Sequence, residues 1–349
     1  MAETIEGDDE VALQPTINDV ARAAGVSKGL VSLALNDRAG VAPDTRARIL
    51  EAAEELGWHP NPSARGLTSR RAYALGLIVR RDPSIIEADP FFSAFIAGVE
   101  TVLADRGQVL VLSVVPDVES EAKAYTRLAH DKRVDGFLIT DLLADDHRIH
   151  LIEGLGMHAV TLGEPNVDST FPVVTRDYDK GIAALADHLM ELGHRRIAHV
   201  SGDERMLHGR LRREQFERSM SDAGLQAVVV PTDFSPEQGA AATEALLDSA
   251  EPPTAIIYGN DPMAIAGMSV AHRRGLRVPG DLSVTGLDGS QIGTYVYPSL
   301  TTLRNDPTEW GLAAASSLLR LIEEGASDDV ALPPAELVVR ASTAPPARP

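Results

Sequence analysis

From residue 73 onward the sequence alternates two textures, and this alternation limits the fold more than any other feature. Short apolar runs, YALGLIV, GQVLVLSVV, VDGFLIT, MHAVTLG, RIAHVSG, AVVVPTD, PTAIIYG and DLSVTGL, end in Gly, Pro or polar residues. Helical stretches stand between them: FFSAFIAGVETVLADRG, EAKAYTRLAHDK, KGIAALADHLMELGH, RREQFERSMSDAG, QGAAATEALLDSA and PMAIAGMSVAHRRG. Strand–helix alternation predicts parallel sheets covered on both faces, since each crossover must bury its apolar side on the strands it joins. Eight such units are too many for one small sheet. A barrel accommodates them, and so do two doubly wound halves. TLGEPNVDSTFPVVTRD, near the middle, reads as a passage between halves. Ligands of open sheets of this kind sit outside the C-terminal strand ends.

The first 72 residues have a different texture. Thr16 can cap INDVARAAG, with Asp19 three positions on as a weaker form of the capping box, and Gly25 stops that helix. Ser27 caps KGLVSLALN, whose Val31, Ala34 and Leu35 fall at i, i+3 and i+4 and so face inward. A third helix starts near Pro43 and Asp44 and runs to Gly57. Two short helices joined by a Gly-containing turn, with a third to close the core, predict a helix-turn-helix domain. WHPNPSARGLTSRRAYA follows as a basic linker in which PSARGL can form a helical turn and a half. Such a segment can stay unfolded until it meets DNA.

Charge is unevenly spread. The whole chain carries −19, yet residues 16–71 hold a small cationic excess, while residues 1–15 carry Glu3, Glu6, Asp8, Asp9 and Glu10 with no cation. An acidic total does not exclude DNA, because affinity depends on charge near the phosphates and the body need not touch them. The 349-residue chain contains no cysteine, which excludes disulfides, Cys–zinc sites and thiol nucleophiles and fits the cytoplasm. It has no apolar run of about 18 residues, so no membrane span is expected. Its N-terminus lacks the basic and apolar regions of a secretory signal.

In order and spacing, the motifs TINDVARAAGVS, LNDRAGVAPDTRARILEAAEELGWHPNPSARGL, ALGLIV, DPFF, VDGFLIT, LGHRRIAHVSG, YGNDPMAIAG, LRVPGDLSVTGLDGS, YPSLTTLRND and LPPAELVVRASTAPP resemble the lactose-repressor (LacI/GalR) family of bacterial transcription regulators, from about residue 16 to the end. The resemblance implies an all-α helix-turn-helix head at 16–60, after an acidic tail at 1–15. A hinge helix and linker at 61–72 would follow, then an α/β effector domain at 73–349 like periplasmic sugar-binding proteins. That domain would have two lobes, each a doubly wound parallel sheet, with the chain crossing three times. The N-lobe would take about 73–175 and 305–333, the C-lobe about 176–304 and 334–349.

The resemblance also assigns residues. The second helix, Lys28 to Leu35, would enter the major groove of a double-stranded operator. Thr16, Ser27 and Ser32 would bond phosphates. Lys28, Gly29, Leu30, Leu33 and Asn36 would lie along the bases. Most relatives place threonine at the position of Leu30 and arginine at that of Leu33. Leucine cannot make the guanine contact of an arginine, worth roughly 1–3 kcal/mol of discrimination, but it can pack against a thymine methyl. Leu30 and Leu33 are read here as apolar base readers rather than core residues. Asn61, Ala64, Arg65 and Leu67 match the hinge helix. Leu67 would wedge between base steps in the minor groove, and Ala64 would let the two hinges of a homodimer approach. Gly66 weakens that helix and favours its folding only on DNA.

For the effector, Arg210, Asn260 and Asp288 match polar ligand positions, and Phe92, Phe234 and Trp310 match positions near the ligand ring. Asp89 and Asp141 are weaker candidates, since either can serve as a cap or strand-end residue. Carboxylates with one arginine and aromatic walls favour a small saccharide. The function expected is a dimeric, palindrome-binding repressor released by a saccharide inducer, with no cofactor, no metal and no catalysis. Two other readings stand beside it: a periplasmic solute-binding protein, and a sugar sensor with lost or altered DNA binding. Five of the ten histidines, His158, His188, His194, His199 and His208, could suggest a metal cluster, but they lie on different elements without metal-ligand spacing. No phosphate-cradling or nucleophile-elbow motif occurs.

Overall fold

The computed structural model describes residues 15–35, 39–58 and 71–347. The chain divides into two units at Ala72 and Tyr73. In the first, α1 (Ile17–Ala23), α2 (Lys28–Leu35) and α3 (Pro43–Glu55) surround a core of Val20, Ala24, Val31, Ala34, Ile49 and Ala53, with Leu35 and Trp58 packed against it. The Asp19 carboxylate accepts from the Thr16 N–H at 2.9 Å and from its hydroxyl at 2.7 Å, fixing the start of α1. Ser27 Oγ accepts from the Leu30 N–H at 3.3 Å and starts α2. Gly25 (φ +64°) and Gly57 (φ +60°) end α1 and α3 in the left-handed conformation that favours glycine. Arg46 donates to the Ala34 carbonyl at 2.7 Å and ties α3 to the end of α2.

The second unit holds two six-stranded sheets. The first contains β1 (Ala74–Arg80), β2 (Val109–Val115), β3 (Gly136–Ile139), β4 (His158–Leu162), β5 (Val173–Arg176) and a late strand, β11 (Val330–Leu332), in the order β11-β5-β4-β3-β1-β2. The second contains β6 (Ile197–Val200), β7 (Val228–Val230), β8 (Ala255–Tyr258), β9 (Ser283–Gly286), β10 (Thr301–Arg304) and β12 (Glu336–Val338), in the order β12-β10-β9-β8-β6-β7. All pairings are parallel except β10 with β12. β1, β3, β6, β8 and β9 are buried almost throughout, which is why they read as unbroken apolar runs.

This is the two-halved alternative, not the barrel. The chain crosses between sheets after β5, after β10 and after β11. TLGEPNVDSTFPVVTRD is more than a passage: its second half is β5, a full member of the first sheet. The short strands β5, β10, β11 and β12 were not legible as apolar runs. Threonine and arginine interrupt β5 and β10, β11 and β12 are three residues long, and all four pair only briefly.

The helices that matter for the site are α4 (Pro83–Ala88), α5 (Pro90–Ala104), α6 (Val118–His130), α7 (His147–Gly154), α8 (Tyr178–Glu191), α9 (Leu207–Asp222), α10 (Pro236–Leu247), α11 (Asp261–Arg273), α12 (Ile292–Tyr295) and α13 (Pro307–Glu324). Helix α13 follows β10 of the second sheet but packs in the core of the first, with Trp310, Ala314 and Leu318 against Phe95, Val99 and Leu138. Its approach to α5 needs Gly98 and Gly311: a Cβ on either would collide with the backbone of the other helix.

Candidate effector site and DNA-reading head

A cavity of about 450 Å³ opens where the C-terminal ends of the strands of both sheets converge, a size in the range of small-molecule sites. From the first lobe come Arg81 after β1, Asp89 and Phe91 at the start of α5, Asp141 after β3, and Arg176 at the end of β5. From the second come His208 and Arg212 on α9, Phe234 after β7, Asn260 after β8 and Asp288 after β9. Asn305 and Trp310 lie where β10 passes into α13.

Six of the eight sequence-derived effector candidates line this cavity: Asp89, Asp141, Phe234, Asn260, Asp288 and Trp310. Two do not. Arg210 is absent from its lining and lies half-buried beside Glu214 at 3.8 Å. The cavity face of α9 is Leu207, His208, Leu211 and Arg212. Arg212, buried to 7% exposure and donating to the Gly259 carbonyl at 3.3 Å, takes the place expected for Arg210. Two residues along a helix turn a side chain by some 200°, so an assignment off by two lands on the wrong face. Phe92 is likewise a core residue, 2% exposed among Phe95 and Val99, while its neighbour Phe91 lines the cavity.

Several groups answer to the structure alone. Arg81 is hidden in the sequence as the second of two adjacent arginines, Arg80 ending β1 and Arg81 following it, and only its position at a strand end marks it. Its Nε and Nη2 bond the two oxygens of Asp141 at 2.8 and 2.9 Å, and Nη1 lies 3.5 Å from Asp89. Burial pushes the Asp141 carboxyl up, but Arg81 and its neighbours outweigh it and hold the group below its ordinary value. Burial drives the His208 imidazole down to about 3, with Arg212 acting in the same direction, so the ring that stacks on Phe234 at 5.6 Å is neutral. Burial, then Asp261 and Asp89, push the Asp288 carboxyl well above the carboxylate range. Arg176 is paired with Glu309 at 2.6 Å and lies over Trp310. Glu164 and Asp177 stand exposed at the edge.

Asn260 has a double position: its Oδ1 accepts from the Met263 N–H and caps α11, and its Nδ2 donates to the Phe234 carbonyl at 2.9 Å. Trp310 donates to Asn305 Oδ1 at 3.1 Å. Asp89 caps α5 through the Phe91 N–H. Phe234 holds φ +73° with its ring against Gly202, where a Cβ would overlap the ring. Two cavity residues, Phe234 and Asp141 (φ +51°), thus keep a backbone conformation costly for side chains, a kind of strain that gathers at binding sites. Among the described residues no group of His, Asp and Glu is placed to hold a metal ion.

In the head, Thr16, Ser27, Lys28 and Gly29 are exposed, and Leu30, Ser32 and Leu33 are half-buried. Among the described residues, the core of the head does not include Leu30 or Leu33. Asn36, Asn61, Ala64, Arg65 and Leu67 lie outside the described residues.

A helix-turn-helix head joined to a two-lobed domain with a cleft at its strand ends defines a class: regulators in which a ligand-binding body governs a DNA-reading head. Residues 16–61 match the model of the bacterial regulatory proteins of the lacI family, and residues 186–343 match the periplasmic binding protein-like domain. The transcriptional repressor PurR of Proteus mirabilis is 33% identical over 310 residues, covering 87% of this chain and 89% of that protein. The transcriptional regulator CelR of Thermobifida fusca is 33% identical over 301 residues, 85% of this chain and 88% of that protein. Among solved structures, the lac repressor dimer bound to operator and the anti-inducer ONPF superposes with a TM-score of 0.81 at 28% identity, covering 95% of this chain and 99% of that one. The CelR–cellobiose complex gives 0.72 at 30% identity, with 94% and 99% covered. The chain belongs to the LacI family of bacterial transcription regulators. The relatives named here are regulators, not enzymes. No helix among the described residues is long and apolar enough to cross a membrane.

Proposed function

We propose that this protein is a repressor that binds a palindromic operator as a homodimer and is released by a neutral saccharide held between its lobes. The observation that carries the ligand class is the charge state of the cavity. Arg81 is neutralised by Asp141, Arg176 by Glu309, His208 is uncharged, and Asp288 is pushed toward its neutral form. Beside these matched groups the cavity has Arg212, the edge carboxylates Glu164 and Asp177, and aromatic walls, Phe234 and Trp310, a mixture of polar groups and rings that suits hydroxyls on an apolar ring. The relative crystallised with cellobiose supports the same class.

The DNA reading rests on the head at 16–60, with Thr16, Ser27 and Ser32 toward phosphates and Lys28, Gly29, Leu30, Leu33 and Asn36 toward bases. The hinge, Asn61, Ala64, Arg65 and Leu67 within 61–72, completes the contact in the minor groove. Dimerisation is supported by apolar side chains left exposed on the body: Val109, Leu112 and Val114 on the edge strand β2, and Tyr295 and Tyr297 beside α12. The protein would act in the cytoplasm, where its operator lies, and would catalyse no reaction.

The test is a mobility shift with DNA from around its own gene, titrated with a panel of neutral saccharides and sugar phosphates. Release by a neutral saccharide supports the reading. Release by sugar phosphates alone overturns the ligand class, and absence of any specific shift overturns the DNA-binding function.

A further inference from the structure

We propose that Arg81 is a positioning residue that latches the two lobes together across the cleft, so that closure rests on the protein's own bonds as well as on the effector. This does not depend on the effector's identity. Arg81 belongs to the first lobe, and its fork is anchored there by the two bonds to Asp141. The same Nη2 lies 3.4 Å from Met206 Sδ, and the guanidinium lies 5.4 Å from the Phe234 ring; both partners belong to the second lobe. On the first-lobe side the Phe92 ring backs the group at 5.4 Å, so the cation sits between aromatic rings from opposite lobes. Its side chain is only 7% exposed, a setting in which cation–π contacts are strongest.

Main chain ties run beside it. The Leu207 N–H donates to the Leu142 carbonyl at 2.7 Å, and Leu143 forms an isolated antiparallel bridge with Met206. The residues that Arg81 grips, Asp141 and Met206, are therefore direct neighbours of the residues that join the lobes.

The first-lobe anchor is stiff. Arg148, buried and bonded to Asp146 at 2.6 Å, donates to the Asp141 carbonyl at 2.9 Å, and Asp146 accepts from the Leu143 N–H at 2.9 Å. On the other side the His208 ring covers Phe234. A ligand moves an open–closed equilibrium only by its differential affinity, and its apparent affinity scales with the competent fraction already present. A latch that raises the closed fraction therefore strengthens effector binding through that equilibrium, in addition to any contact Arg81 makes from the cavity wall.

The experiment uses the full-length protein without ligand. The chain has no cysteine, so Lys123→Cys and Glu237→Cys, exposed positions in opposite lobes, give one spin-label pair. Diluted with excess unlabelled chain so that only distances within one chain are read, the otherwise unaltered chain should give one narrow distance. Arg81→Met should add a longer population, with the open fraction rising on the order of tenfold, the weight of one buried charge-assisted contact. Arg81→Lys, which keeps the charge but cannot form the fork, should fall between. Leu207→Pro removes the cross-cleft N–H at a position where the backbone accepts proline, because residue 207 is the first of α9 and Met206 before it is already extended; Leu207→Ala, which shortens the same buried side chain but keeps the N–H, is its control. The proline variant should open the lobes in the same sense even if Arg81→Met fails to fold. A distance distribution unchanged in both variants, or already broad in the parent, overturns the latch.

Discussion

Asp261 is the group whose loss should cost this fold most per atom changed. Its carboxylate is fully buried and accepts from five donors. Oδ1 takes the Leu287 N–H at 2.9 Å, the Asp288 N–H at 3.3 Å and the Thr302 hydroxyl at 2.7 Å. Oδ2 takes the Ser290 N–H and hydroxyl, both at 2.7 Å. It thereby holds the turn after β9 that carries Asp288, and its own N–H bonds the Asp288 carboxylate at 2.8 Å. Asp261→Asn keeps the shape, removes the charge and turns one acceptor into a donor. The mildest placement puts the amide nitrogen at the Oδ2 position, where the Ser290 hydroxyl can rotate to accept but the Ser290 N–H is orphaned. One orphaned buried donor costs about 1–3 kcal/mol, and three bonds at Oδ1 fall from charge-assisted to neutral strength. The sum is about 3–5 kcal/mol. For a domain of this size that lowers Tm by roughly 6–20 °C. Thermal unfolding of the full chain measures it, with Thr302→Val as the smaller control. A loss under about 1 kcal/mol in Asp261→Asn would refute the reading that all five donors depend on this carboxylate.

Three further outcomes follow from the site. Arg212→Met should abolish effector-dependent release of DNA, while Arg210→Met should leave it within about twofold, as for a surface pair; equal effects in titration calorimetry would restore the original assignment. Leu33→Arg should redirect the sites selected in vitro toward guanine at one position of each half-site, and an unchanged preference would remove Leu33 from the reading face. Stability should fall with acid between about pH 6.5 and 4, because burial holds His199 at about 4 and His208 at about 3, so the unfolded chain takes up protons that the fold refuses. Each histidine contributes at most about 1.4 kcal/mol per pH unit, and His208→Gln should flatten the slope of denaturation midpoints against pH.

The fold was legible because its central strands β1, β3, β6, β8 and β9 are buried on both faces and its helices are capped by local signals. Thr16, Ser27, Pro43 and Gly57 act where they stand in sequence. The site was legible only where a residue's place at a strand end fixes its direction. Asp288 follows β9 and Asn260 follows β8, and both face the cavity as the strand-end rule requires. On helices the direction depends on register, and there the sequence pattern failed by small shifts. Arg210 and Arg212 differ by two positions in one basic run, and Phe91 and Phe92 by one. Composition treats each pair as interchangeable, while the packed helix buries one and leaves the other half-buried.

Arg81 was illegible for a different reason. Nothing local marks it, since its partners Asp141, Met206 and Phe234 lie 60, 125 and 153 positions away in the chain. A buried arginine is tolerable only when such distant groups converge on it. A strand-end cation in an apolar neighbourhood therefore implies that the fold brings carboxylates to it, even when the sequence does not say which. The same logic reverses the reading of the acidic body. Excess carboxylates near the cavity need not mean an anionic pocket or a cationic ligand. Arg81 and Arg176 are each taken up by a carboxylate, and crowding drives Asp288 toward its neutral form, so the surplus leaves a cavity suited to an uncharged guest.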